Sequence, residues 1–177
     1  MIIWITGISG SGKTTIASRL IKKYKNDIKN LVNVDGDVIR GLYDNDLNYD
    51  LDSRITQIKR IQKVCLFLEN QGLIVIASAL YCDESLMEWN RKNFKNYYEI
   101  YLETSLDIVK RRDVKGLYKK YEKGLEKNIV GLDIPWNAPK NYDLKINMND
   151  NISVEETIKK IIKNFNIFDK LKNELEN

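Results

Sequence analysis

The chain has 177 residues, 43% of them hydrophobic and 31% charged, with a formal charge of +4 and no histidine. That balance predicts one soluble globular domain over residues 1–177 and leaves little room for two. The start, MIIWITG, has no basic n-region or small-residue cleavage site, and no apolar run approaches bilayer length, so a cytoplasmic protein without a membrane segment is expected.

Apolar runs of strand length alternate with stretches of helical period, the pattern of an α/β protein with a parallel sheet. IIWITG (2–7) reads as a strand, TTIASRLIKKYKN (14–26) as a helix and LVNV (31–34) as a second strand. The segment 41–53, GLYDNDLNYDLDS, is polar and turn-rich. A helix is predicted from Arg54 to about Asn70, because Ile55, Ile58, Ile61, Cys65 and Leu68 repeat at helical spacing before Gln71-Gly72 ends it. LIVIASAL (73–80) is apolar enough for a central strand and is expected beside the first. Then follow a helix over 84–94, a strand over 97–103, a short helix over 105–113 and a fifth strand over 142–148. Ser153, with Glu156 three residues on, is a capping-box signature for a last helix over 153–165, and DKLKNELEN at the end is expected to fray.

Between the fourth and fifth strands, residues 114–141 hold both prolines of the chain and are rich in glycine, lysine and tyrosine. Such a length points to a lid or binding loop. The charge is concentrated next to it: residues 110–127 carry eight Lys or Arg against three acidic residues. A solvated helical face and a clamp for a polyanion both fit that run. Cys65 and Cys82 lack CxxC spacing, which argues against a zinc site and a disulfide framework; both are expected to be reduced.

GISGSGKT (7–14) fits the phosphate-loop pattern G-x-x-x-x-G-K-[ST], with a strand before it and a helix after it. Backbone N–H groups of Gly7, Ser9, Gly10, Ser11 and Gly12 can turn toward phosphate oxygens, and Thr14 and Thr15 open the helix whose N-terminus favours an anion. Lys13 would reach the β and γ phosphates of ATP, and the Thr14 hydroxyl would hold Mg²⁺. The chain lacks the base-reading NKxD motif of a GTPase switch. Its second strand ends at Asp35, and ligands of open α/β sheets gather at the carboxyl ends of the strands. The expected fold is therefore α/β, a five-stranded parallel sheet flanked by helices. It would be a small-molecule P-loop kinase like the nucleoside-monophosphate kinases, with a lid at about 114–141.

In NVDGDVIR (33–40), Asp35 and Asp37 flank a glycine, and Arg40 follows. A plain turn remains possible from these residues alone, but beside a phosphate loop a carboxylate here can accept the proton of an acceptor hydroxyl. Arg40 and Arg54 can bind acidic groups of the acceptor.

These residues, in this order, resemble the adenylylsulfate kinase family: GISGSGKTT, VDGDVIR, Arg54, GLIVIASAL, RRDVKGLYKK (111–120) and VGLDIPWNAP (130–139). That family uses MgATP to phosphorylate the 3′-hydroxyl of a nucleotide whose 5′-phosphate carries a second acidic group. The resemblance implies Asp37 as base with Asp35 as its partner and Lys13 as the third catalytic group. It also implies that Arg40, Arg54 and Lys115 hold acceptor anions and that Arg112 lies against the ATP base. The basic run then reads as a nucleotide clamp. The expected partner is a small-molecule nucleotide acceptor, with no nucleic acid or membrane, and a homodimer is left open.

The departures from the family cluster on the acceptor side. The family sandwiches the acceptor's adenine between two phenylalanines; here the positions are Tyr49 and Ile129. Its Asn on the helix after the arginine is Gln57, and its I-S-P-Y stretch is Leu80-Tyr81-Cys82-Asp83. Loss of one stacking face costs roughly 1–3 kcal/mol. A branch resembling the family phosphorylates cytidine diphosphoramidate on the route to capsule phosphoramidate groups, and that acceptor is the leading expectation, with adenylylsulfate as the alternative. A nucleotide-binding module without transfer and a nucleic-acid end kinase are other classes; the presence of Lys13, Thr14 and both aspartates, and the confinement of the basic residues to one segment, speak against them.

Overall fold

The computed structural model describes residues 1–81, 83–149 and 152–165. Cys82 and the DKLKNELEN segment lie outside the described residues. Five strands, β1 (Ile2–Thr6), β2 (Leu31–Asp35), β3 (Ile74–Ser78), β4 (Tyr97–Glu103) and β5 (Leu144–Asn147), form one sheet in the order β2-β3-β1-β4-β5. Every pairing is parallel. The predicted neighbour of β1 is confirmed: Ile5 lies opposite Ser78.

Helices cover both faces, as a parallel sheet requires. The alternation of side chains along a strand sorts the core into two halves. Ile3, Ile5, Ile74, Ile76, Ile100 and Leu102 face helices α1 (Lys13–Tyr24) and α7 (Val154–Asn164), where they meet Ile16, Leu20 and Ile161. Ile2, Trp4, Val75 and Ala77 face α3 (Leu51–Asn70) and α4 (Glu84–Asn93), where they meet Ile58, Ile61, Cys65 and Leu86. The capping box at Ser153 and Glu156 is formed in both directions.

Two elements differ from the sequence reading. The DGD stretch opens a helix, α2 (Gly36–Leu42), because the Asp35 carboxylate caps it by accepting the backbone N–H of Asp37. The next helix begins at Leu51 instead of Arg54, since Asp50 accepts the N–H of Ser53 and supplies the start signal. Glycine and aspartate clusters read as turns in sequence; here the same residue types serve as helix caps.

After α5 (Leu106–Arg112), the segment expected to be a lid contains a short helix, α6 (Leu117–Glu122), followed by irregular chain. Ile8 of the phosphate loop, Val109, Tyr118 and Ile129 form a third apolar cluster that fastens this segment over the end of β1. Gly131 allows the closest contact: its φ is +94°, and a Cβ there would stand 2.7 Å from the Ile8 side chain. The Tyr118 hydroxyl adds a hydrogen bond to the Ser9 carbonyl at 3.1 Å.

Candidate active site

The phosphate loop leaves the carboxyl end of β1, where the chain first turns toward β2 and later, after β3, crosses to β4. Such a reversal leaves a crevice at the strand ends. Gly7, Gly10 and Gly12 all have positive φ, so the loop follows a path open to glycine, and Gly12 leads directly into α1. The Lys13 ammonium donates to the carbonyls of Gly7 and Ile8, at 2.9 Å each.

Asp35 ends β2 beside Ser78, its partner in the β2–β3 register. Its Oδ2 accepts the hydroxyls of Thr14 at 2.8 Å and Ser78 at 2.7 Å, while Oδ1 accepts the Asp37 amide at 2.9 Å. Burial opposes ionisation, but the hydrogen bonds from Ser78, Thr14 and the amides of Asp37 and Val38 outweigh it and hold the carboxyl below the usual range. Asp35 is thus a fixed anion touching the phosphate-loop hydroxyl. Asp37, the second residue of α2, is exposed and carries the Lys115 ammonium on its Oδ2 at 2.5 Å.

These groups line one cavity of about 480 Å³, together with Arg40, Tyr49, Arg54, Gln57, Leu80 and Ile129. Arg40 is buried, donates to the carbonyls of Leu47 and Asn48, and has its guanidinium 4.4 Å from the centre of the Tyr49 ring. Arg54 donates to the Tyr49 carbonyl and, through Nη2, to the Asn128 carbonyl at 2.8 Å, which joins α3 to the lid segment. Tyr49 is therefore bracketed by two cations as well as facing the cavity.

Other predicted site residues stand elsewhere. The Tyr81 side chain is buried, donates to Glu99 and packs near Trp136, away from the cavity lining. Arg112 is exposed and donates to the Met148 carbonyl at 3.3 Å. Gly7 and Ser11 of the loop do not line the cavity, and Ser11 is fully buried.

Sequence reasoning did not single out Ser78, Asp113, Tyr118 or the 126–128 segment, all of which line the cavity. Ser78 had a legible signal, as a hydroxyl closing an otherwise apolar strand at the level of Asp35. Asp113 caps α6 by accepting the amides of Tyr118 and Lys119.

Burial depresses the Lys13 ammonium to about 8, and the Lys115 charge adds to this, while Asp37 and Asp35 pull the other way. The charged form attracts phosphate, so ATP affinity of the free protein is expected to fall as pH rises through about 8. In Lys13→Arg the fall should disappear, since a guanidinium does not titrate there. A pH series of nucleotide titrations by calorimetry checks both. A slope shared by the two proteins would contradict the assignment.

A parallel five-stranded sheet with a phosphate loop at its reversal point, an aspartate across from the loop threonine and a docked lid segment define a P-loop kinase. The adenylylsulphate kinase family model matches residues 1–147, and the chain belongs to that family. It is a phosphotransferase acting on an alcohol group. The chain is similar to the cytidine diphosphoramidate kinase of Campylobacter jejuni subsp. jejuni serotype O:2, with 41% identity over 162 residues covering 92% of this chain and 94% of that one. An adenylyl-sulfate kinase of Rippkaea orientalis is 35% identical over 90% of this chain and 87% of its own. Among solved structures, the APS kinase of Mycobacterium tuberculosis in complex with AMPPNP and APS superimposes with a TM-score of 0.83 at 29% identity, covering 93% of this chain and 96% of that one. No described helix is long and apolar enough to cross a membrane.

Proposed function

We propose that the protein transfers the γ-phosphate of ATP to the 3′-hydroxyl of cytidine diphosphoramidate. The observation that carries the acceptor class is the assembly, in one cavity with the phosphate loop, of an exposed carboxylate, Asp37, and two arginines, Arg40 and Arg54. The cytidine assignment rests on the exchange of a stacking pair for Tyr49 and Ile129 and on the 41% identity to the Campylobacter jejuni kinase.

Lys13 leaves the loop carbonyls to meet the β and γ phosphates, and the loop amides hold the phosphate oxygens. Thr14 and Asp35 offer oxygen donors that suit Mg²⁺, an ion bound by few protein groups alongside substrate phosphates. When bound there, Mg²⁺ would neutralise charge on the β and γ phosphates. Arg40 and Arg54 orient the acidic 5′ end of the acceptor. Lys115 moves from Asp37 to an acceptor anion, which frees Asp37. The 3′-oxygen then attacks the γ-phosphorus, the bond from that phosphorus to the β,γ-bridging oxygen breaks, ADP leaves and Asp37 takes the hydroxyl proton. The 114–141 lid segment excludes water while this occurs.

A coupled ADP-release assay with both acceptors tests the reading. The expected kcat/KM is higher for cytidine diphosphoramidate than for adenylylsulfate. The reverse order would return the protein to the sulfate-activating reaction and leave the kinase chemistry intact.

A further inference from the structure

Gln57 is 5% exposed and lines the active-site cavity one turn after Arg54. Its amide has a fixed orientation: Nε2 donates to the Gly36 carbonyl at 3.1 Å, and a carbonyl can only accept, so the nitrogen must face it. The other end, Oε1, is buried and meets no donor among the described residues. Gly36 is the residue between the two aspartates, so the Gln57 amide is held against the segment that carries the proposed base, in the cavity it shares with Asp37 and Arg54. On its own helix it is flanked in the cavity by Ile58 and Ile61, which offer no donor.

Of the polar groups lining the same cavity, the carboxylates of Asp35, Asp37 and Asp113 already accept from Thr14, Ser78, Lys115 and the amides of Tyr118 and Lys119. Lys13, Arg40, Arg54 and Lys115 only donate and recognise oxygens. Oε1 of Gln57 only accepts and is best satisfied by an N–H or O–H of the ligand. The terminal sulfate of adenylylsulfate has oxygens alone and would leave a buried acceptor unpaired. The amino group of a phosphoramidate supplies the missing donor.

We propose that Gln57 Oε1 accepts a hydrogen bond from the P–NH₂ group of the acceptor and thereby selects a phosphoramidate over a sulfate. This rests on the phosphoramidate reading of the acceptor and goes beyond it by naming the atom that discriminates. A residue serving only the fold would not read the terminal group.

The test compares cytidine 5′-diphosphoramidate with cytidine 5′-(β-fluoro)diphosphate, in which fluorine replaces the amino group with similar size and the same charge but no donor. The wild-type protein should favour the amidate in kcat/KM by about ten- to a hundredfold, the range for leaving one buried polar group unpaired. Gln57→Leu should bring the ratio near one, with its folding checked by circular dichroism; the wild-type ratio stands alone if that variant does not fold. Equal wild-type use of both compounds would overturn the role of Gln57 and spare the acceptor assignment. An unchanged ratio in folded Gln57→Leu would also overturn that role. No turnover of either compound, with turnover of adenylylsulfate, would overturn both readings.

Discussion

Asp37→Ala is expected to lower kcat by about 10²–10⁴, the usual contribution of a positioned general base, while ATP still binds. The carboxylate can be removed cleanly because it is exposed and holds up no part of the core; among the described residues its side chain pairs with Lys115. It differs in this from Asp35, whose three hydrogen bonds tie the phosphate-loop helix, β3 and the start of α2 together. Asp35→Ala should therefore disturb nucleotide binding and folding as well as turnover, and Asp37→Ala turnover alone. Single-turnover measurements at saturating ATP, with nucleotide affinity measured separately, distinguish the two. Unchanged turnover in Asp37→Ala would remove that residue from the role of base.

Lys13→Met is expected to cost about 10²–10³ in kcat, comparable to loss of one preorganised charge-stabilising donor. Methionine keeps the unbranched stem and removes only the charge. In the ligand-free protein the ammonium is satisfied by the carbonyls of Gly7 and Ile8, so the cation is held at the loop before any phosphate arrives. Burial that depresses its proton affinity also strengthens its pull on a phosphate once charged, because little water screens the pair. The loss should appear in kcat and in ATP affinity together. A variant that lost ATP affinity but kept kcat would limit Lys13 to binding.

Much of this architecture can be read from pattern. The five strands announce themselves as apolar runs, and the phosphate loop by its glycines and Lys13, because burial and backbone freedom leave strong marks on composition. The α2 helix did not, since Asp35, Gly36 and Asp37 are residue types of turns and caps alike, and only the hydrogen bond from the Asp37 amide to Asp35 distinguishes the two. The same ambiguity hid the first turn of α3 behind Asp50.

In the site, the residues on rigid elements came together as expected: Lys13, Thr14, Asp35, Asp37, Arg40, Arg54 and Gln57 share one cavity. Tyr81 does not line it, because the first residues after β3 bend so that its ring enters the core beside Glu99. Arg112, at the end of α5, reaches the Met148 carbonyl instead. Both positions depend on how the chain turns after a secondary-structure element, where periodicity carries no information. Ser78 could have been found by aligning strand ends, since β2 and β3 finish together.

The central claim is transfer of phosphate to the 3′-hydroxyl of cytidine diphosphoramidate. The most direct measurement is ³¹P and ¹H NMR of the products formed from ATP, Mg²⁺ and that acceptor. ADP and, in equal amount, a new phosphomonoester signal coupled to the ribose H3′ are expected, with the phosphoramidate signals retained. Phosphate released to water, or a phosphate attached anywhere but the 3′-oxygen, would contradict it.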